Sequence, residues 1–171
     1  MKARQSIYLV CLLAFINGCA TPVSVNDKDI GKPISNEFQK QSLLGILYAQ
    51  TSTEFVANNM QTFAAASSYL DQAMSDQDWT AALEQTDNFN KKPPAIILDV
   101  DETVLDNVRF QARAILSGLS YPNGWIEWGL EASAEPVPGV SGFLKNASNK
   151  DIKIFYVTNR VAELEEATRK N

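Results

Sequence analysis

The chain has 171 residues, of which 45% are hydrophobic, 20% charged and 9% aromatic, with eight Gly and seven Pro; this is the composition of a globular protein, neither disordered nor collagenous. It contains no histidine, which excludes Ser-His-Asp and Cys-His hydrolysis, imidazole zinc sites and phosphoryl transfer to a histidine nucleophile. The formal charge of −5 disfavours general affinity for a nucleic-acid polymer, and any chemistry must come from carboxylates, hydroxyls, Lys or Arg.

Residues 1–18 read as an export leader. Lys2 and Arg4 form a short basic start, and Ile7 to Ile16 is an apolar run too short to span a hydrocarbon layer of ~30 Å as a helix. Ile16-Asn17-Gly18-Cys19 then resembles a bacterial lipobox. That resemblance implies cleavage before Cys19, a lipid anchor on Cys19 and, with Ala20 rather than Asp next, sorting to the bacterial outer membrane. An ordinary secretory signal with an incidental cysteine is the other reading, and Asn17 is the residue that suits the lipobox least. Cleavage leaves 171 − 18 = 153 residues, long enough to bury about two-thirds of the unfolded surface. With Lys2 and Arg4 gone the charge becomes −5 − 2 = −7, and with Cys11 gone no disulfide is possible. Residues 19–35, with Pro22, Gly31 and Pro33 and no periodicity, read as an extended tether.

From Asn36 the apolar residues Phe38, Leu43, Leu44, Leu47, Tyr48, Phe55, Met60, Phe63, Ala64 and Leu70 recur at three, four and seven, with no Pro before Ser75. This predicts a long helix, broken once near Thr51-Ser52-Thr53. Asp76 or Asp78 is the expected cap of a second, short helix carrying Trp79, Leu83 and Phe89 into the core. Lys91-Lys92-Pro93-Pro94 ends the helical region, and the unbroken run Ala95-Ile96-Ile97-Leu98 predicts a strand buried on both faces. Helices are expected over Val104 to Leu116 and Val140 to Ala147, with an aromatic insertion around Tyr121, Trp125 and Trp128 between them. Ile152 to Val157 predicts a second strand. The order strand, helix, strand makes the fold class α/β, with parallel strands and a right-handed crossover, and places functional residues at the carboxyl ends of the strands.

The first strand runs into four acids within eight residues, Asp99, Asp101, Glu102 and Asp106. A calcium loop would begin this way, but Val104 stands where its sharp turn needs Gly and Phe110 where its bidentate Glu belongs. A solvated turn with Thr103 capping the next helix explains one acid and not the spacing of two. Side chains at i and i+2 of an extended chain lie on one side, so Asp99 and Asp101 can face a common point, one to attack phosphorus and the other to move a proton.

Asp99-Val100-Asp101-Glu102-Thr103-Val104 resembles motif one of the haloacid dehalogenase superfamily of phosphohydrolases. Its extension through Leu105-Asp106-Asn107 and Phe110-Gln111-Ala112 is similar to the bacterial class C acid phosphatases, lipoproteins known for four catalytic aspartates. Trp125-Ile126-Glu127-Trp128, Pro138-Gly139 and the motif-two segment Phe155-Tyr156-Val157-Thr158-Asn159-Arg160 reinforce the match. Val100 replaces the more usual Ile or Leu, and Phe110 stands where Tyr is usual.

The resemblance implies a Rossmannoid parallel sheet with a helical N-terminal region and a cap insertion over residues 36–171. It implies Mg2+-dependent hydrolysis of small phosphomonoesters, nucleoside 5′-monophosphates among them, with an acidic optimum. By the same resemblance Asp99 is the nucleophile that becomes an aspartyl-phosphate, and Asp101 protonates the leaving oxygen and then deprotonates water. The metal would sit on the Asp99 carboxylate and the Asp101 backbone carbonyl. Thr158 would hydrogen-bond a phosphoryl oxygen with Asn159 and Arg160 beside it, and Phe110 would be the foremost of the cap aromatics to stack on an aromatic leaving group. Read from the residues alone, Thr158-Asn159 also suits a helix cap, Arg160 a solvated first turn, and each aromatic plain core packing.

The superfamily's third motif needs a Lys and its fourth one or two Asp. After Arg160 the chain offers Lys170 and the acids Glu163, Glu165 and Glu166, all inside one amphipathic helical pattern. The expectation is therefore an incomplete domain holding two of four motifs, and the alternative function is an inactive or non-enzymatic outer-membrane lipoprotein.

Overall fold

The computed structural model describes residues 36–171, with side chains from residue 42 onward. The leader expected over 1–18, the lipidation site Cys19 and the tether 19–35 lie outside the described residues.

Helix α1 (Asn36–Thr51) and helix α2 (Thr53–Ser75) are parted at Ser52, where the break was expected. Ser52 has extended backbone, and its hydroxyl accepts the Phe55 N–H at 3.1 Å, so one residue ends α1 and caps α2. The apolar stripe of α2, Phe63, Ala66 and Leu70, packs on Phe143 and Ala147 of helix α5 (Val140–Asn149). Gly139 sets how closely the two helices meet. Its φ is +91°, and a Cβ there would come to 3.0 Å from the Met60 Cα, so the approach requires glycine.

No helix forms between Asp76 and Asn88, which corrects the expected short helix. The Asp76 carboxylate accepts the Asp78 N–H at 3.0 Å, and the Thr80 hydroxyl accepts the Ala82 N–H at 3.1 Å. These short polar side chains bind their own backbone and favour turns over a first helical turn. Trp79 and Leu83 are consequently outside the core, Leu83 being 93% exposed, and Phe89 opens a single 3-10 turn over Phe89–Lys91.

Strand β1 (Ala95–Leu98) pairs parallel with strand β4 (Lys153–Tyr156), in register from Ala95↔Lys153 to Leu98↔Tyr156. Ile96, Leu98 and Ile154 face the core under α5 and α2. The alternate residues face outward, and Ile97 is 72% exposed. The expectation of a strand buried on both faces is thus corrected for the described residues: one face of the pair is covered and the other is bare.

Between the parallel strands, β2 (Leu105–Asp106) and β3 (Glu135–Pro136) form a two-residue antiparallel clip. It carries helix α3 (Val108–Ser117) and helix α4 (Trp125–Glu131) as the insertion. Helix α3 starts later than expected from Val104 because Val104 and Leu105 are consumed by a turn and the clip. A second core joins Val100, Leu105, Phe110, Trp128 and Ala134. A 3-10 turn (Ala162–Leu164) leads into helix α6 (Glu165–Lys170), and the buried Leu164 seats on α4 at Gly129. None of the described helices is long and apolar enough to cross a membrane.

A Cβ at Gly129 would stand 2.7 Å from Leu164 Cδ1, whereas one at Gly142 on α5 would meet nothing within 4 Å. Gly129→Ala should therefore lower stability by about 1–3 kcal/mol, since a fully buried Leu164 has nowhere to go. Gly142→Ala should raise it by about 0.5–1 kcal/mol through helix propensity. Urea denaturation of the two variants checks the opposite signs.

Candidate active site

Beyond Leu98 the chain turns on Val100. This residue is buried, and its carbonyl accepts the N–H groups of Thr103, Val104 and Leu105 at 3.4, 2.8 and 2.9 Å. The Glu102 N–H donates to the Leu105 carbonyl at 2.8 Å, and Glu102 itself sits at φ +56°, an uncommon backbone for a side chain of its size. The turn leaves Asp99 exposed at the strand end and Asp101 half-buried two residues on.

The Asp101 carboxylate is gripped from two sides. Arg160, from the loop after β4, donates from Nη2 to Oδ1 at 2.6 Å and from Nε to both oxygens at 3.1 Å. Its Nη1 donates to the Thr168 hydroxyl of α6 at 3.0 Å, and its guanidinium lies 5.4 Å over the Trp125 ring. The Arg160 side chain is 3% exposed and that of Asp101 18%. From the other side the Asn107 amide donates to Asp101 Oδ1 at 2.8 Å, while the Trp128 indole N–H donates to the Asn107 carbonyl oxygen at 2.8 Å.

These contacts line a cavity of about 430 Å³ with Asp101, Glu102, Asn159 and Arg160 on its wall, beside Phe110, Tyr121 and Trp125. Four of the expected site residues, Asp101, Asn159, Arg160 and Phe110, are brought together there. Asp99 and Thr158 are not among the lining residues. The Thr158 hydroxyl instead accepts the Arg160 N–H at 3.2 Å, the turn-forming role that its residue type also suggested. Arg160, expected beside a phosphate or in solvent, is buried with its donors committed to Asp101 and Thr168. Phe110 is buried in an edge-on contact with Trp125, ring centroids 5.1 Å apart, so it serves packing first. The aromatic with a free face is Tyr121, 67% exposed and 5.8 Å from Trp125.

Sequence reasoning missed Asn107 as more than a motif letter, and missed Trp128 as its partner. The available signal was that a buried Trp needs an acceptor for its N–H. It also missed Ser42 and Ile46, through which α1 reaches the cavity wall. Arg113 covers the outer face of Trp128 at 4.9 Å and forks onto Glu131 at 2.6 and 2.8 Å. That hydrogen bond holds the Glu131 carboxyl below the usual carboxylate range.

The donor set suits a hard divalent cation in part. The loop's own hydrogen bonds go to the Val100 and Leu105 carbonyls and none to that of Asp101, so its oxygen and the exposed Asp99 carboxylate are the hard donors that the loop leaves for a cation. Among the described residues no three acids stand together as a full metal-holding group.

Residues 36–171 match the family described as HAD superfamily, subfamily IIIB (Acid phosphatase), and the chain belongs to that family. Two similar solved structures are the class C acid phosphatase from Bacillus anthracis and the same protein with tungstate bound. Each is 36% identical to this chain with a TM-score of 0.68, over 79% of this chain and 52% of the other. The chain spans about half the length of those relatives. The α/β fold with helical N-terminal region and parallel strands is the fold of this family, as the motifs indicated.

Desolvation in the loop raises the Glu102 carboxyl above the ordinary range, opposed by hydrogen bonding from Asn107 and reinforced by the charges of Asp101 and Asp106. The residue as a whole stays exposed, which limits the size of the effect. A raised folded-state value means that ionisation of Glu102 costs stability above that value, and that the cost disappears as pH falls below about 4. In metal-free buffer Glu102→Gln should therefore raise the melting midpoint at pH 7, with the two midpoints converging at acid pH. A constant difference across the titration would contradict the assignment.

Proposed function

We propose that this protein is an acid phosphatase that hydrolyses small phosphomonoesters through an aspartyl-phosphate on Asp99. The observation that carries the reading is the Asp101 carboxylate, fixed on a cavity wall at the carboxyl end of β1 in a chain of the acid phosphatase family. In the first step an Asp99 oxygen bonds to phosphorus, the ester P–O bond breaks, and the leaving oxygen takes a proton from Asp101. In the second, Asp101 removes a proton from water, whose oxygen displaces Asp99 and releases phosphate.

The Asp99 carboxylate and the Asp101 backbone carbonyl would hold Mg2+. When bound, that ion offsets the repulsion between an anionic nucleophile and an anionic phosphate. Thr158 and Asn159 border the phosphate in this reading, and Arg160 acts on Asp101. The exposed Tyr121 face, with Phe110 and Trp125 behind it, suits an aromatic leaving group such as the base of a nucleoside 5′-monophosphate. The lipobox residues support a lipid anchor on Cys19 and an outer-membrane location.

Asp99→Asn should reduce phosphate release from p-nitrophenyl phosphate by at least about 10³-fold, as expected when a nucleophile is lost. EDTA should abolish turnover and Mg2+ restore it; turnover untouched by either change removes the mechanism. Tyr121→Ala should raise KM for adenosine 5′-monophosphate about tenfold, the effect of one lost stacking contact, with KM for glycerol phosphate unchanged.

A further inference from the structure

Asparagine is among the best residues for capping a helix from the position that Asn107 occupies, directly before α3. Its side chain makes no capping bond there. The Val108 N–H is taken instead by the Asp106 carboxylate at 2.8 Å, and the Asn107 amide turns inward, with the residue 1% exposed. A residue that abandons a favourable local role for a buried polar one marks a place where something other than folding is being served.

The orientation of that amide is fixed by elimination. An indole nitrogen can only donate, so at 2.8 Å from Trp128 Nε1 the Asn107 group must present its oxygen, and the amide nitrogen then faces Asp101 Oδ1. A flipped amide would set N–H against N–H on the Trp128 side and oxygen against a carboxylate on the other, and Asn107 and Trp128 are both buried. Oδ1 of Asp101 thus takes three donors, the Asn107 amide at 2.8 Å, Arg160 Nη2 at 2.6 Å and a share of Arg160 Nε at 3.1 Å. Among the described residues, Oδ2 takes only the other share of Nε, also at 3.1 Å.

We propose that Asn107, oriented by Trp128, is a positioning residue for Asp101: it commits Oδ1 to the protein and leaves Oδ2 as the oxygen with capacity for a reacting group. This rests on the phosphatase reading above. Arg160 already favours Oδ1, through Nη2 at 2.6 Å beside the shared Nε; the neutral donor from α3 falls on the same oxygen and on that one only, which completes its commitment to the protein.

Trp128→Phe keeps a ring in the core and removes the N–H, but the smaller ring also vacates part of the indole's buried space, so its kinetics are read beside its melting midpoint, on protein that is folded at the assay temperature. On the full chain with p-nitrophenyl phosphate, Asn107→Ala should lower kcat about 10²-fold with KM within about twofold, the scale expected for a misplaced reacting group. Trp128→Phe should lower kcat about tenfold, and the double variant should match Asn107→Ala alone, because Trp128 acts through Asn107. A Trp128→Phe variant with wild-type kcat, or effects that multiply in the double variant, would overturn the inference. Wild-type chain without turnover would instead sink the phosphatase reading. The relay is then decided by NMR of the Asn107 side-chain amide: Trp128→Phe should shift its paired proton resonances while the fold is retained, and unchanged resonances would overturn it.

Discussion

A carboxylate and a guanidinium that are both largely removed from water organise this molecule. A buried charge without a partner costs several kcal/mol, and among the described residues neither Asp101 nor Arg160 forms another ion pair. Their pairing ties the loop after β1 to the loop after β4, which are the two carboxyl ends of the parallel pair. Through Thr168 it also reaches α6, and through the ring of Trp125 it reaches α4. The site is therefore assembled by the same contact that joins the two strand ends.

Two cores support that contact from different directions. The α2–α5 core fixes the strands through Ile96, Leu98 and Ile154, and its closeness depends on glycine at 139. The insertion core, built on Phe110 and Trp128, fixes the wall of the cavity and supplies the neutral half of the grip on Asp101. The aromatic residues of the insertion divide their labour by depth: Phe110 packs, Trp125 stacks on Arg160, Trp128 orients Asn107, and only Tyr121 offers a face outward.

The sequence made some of this legible for simple physical reasons. The unbroken apolar runs before Asp99 and Thr158 marked both strands, and the serine between two helical stripes marked the break at Ser52. The motif residues around Asp99, Asp101 and Asn159 identified the family. What escaped were properties set by partners distant in sequence. Nothing in Asp76 or Trp79 shows that an Asx turn will win over a helical start, and nothing in Ile97 shows which face of a strand a helix will cover. Arg160 read as a neighbour of the phosphate or a solvated first-turn residue, and not as the partner of Asp101, because that carboxylate lies 59 residues away. Asn107 read as a motif letter because its orientation depends on an indole 21 residues downstream.

The central claim is that Asp99 and Asp101 divide one reaction, the first carrying the phosphoryl group and the second moving protons. Its most direct test is the time course of Asp101→Asn with p-nitrophenyl phosphate, whose leaving group departs without much need of an acid. The account predicts a burst of p-nitrophenolate of about one equivalent, a slow steady state, and phosphate trapped on Asp99, because water has lost its base. Steady turnover at the wild-type rate, with no burst and no trapped phosphate, would contradict it.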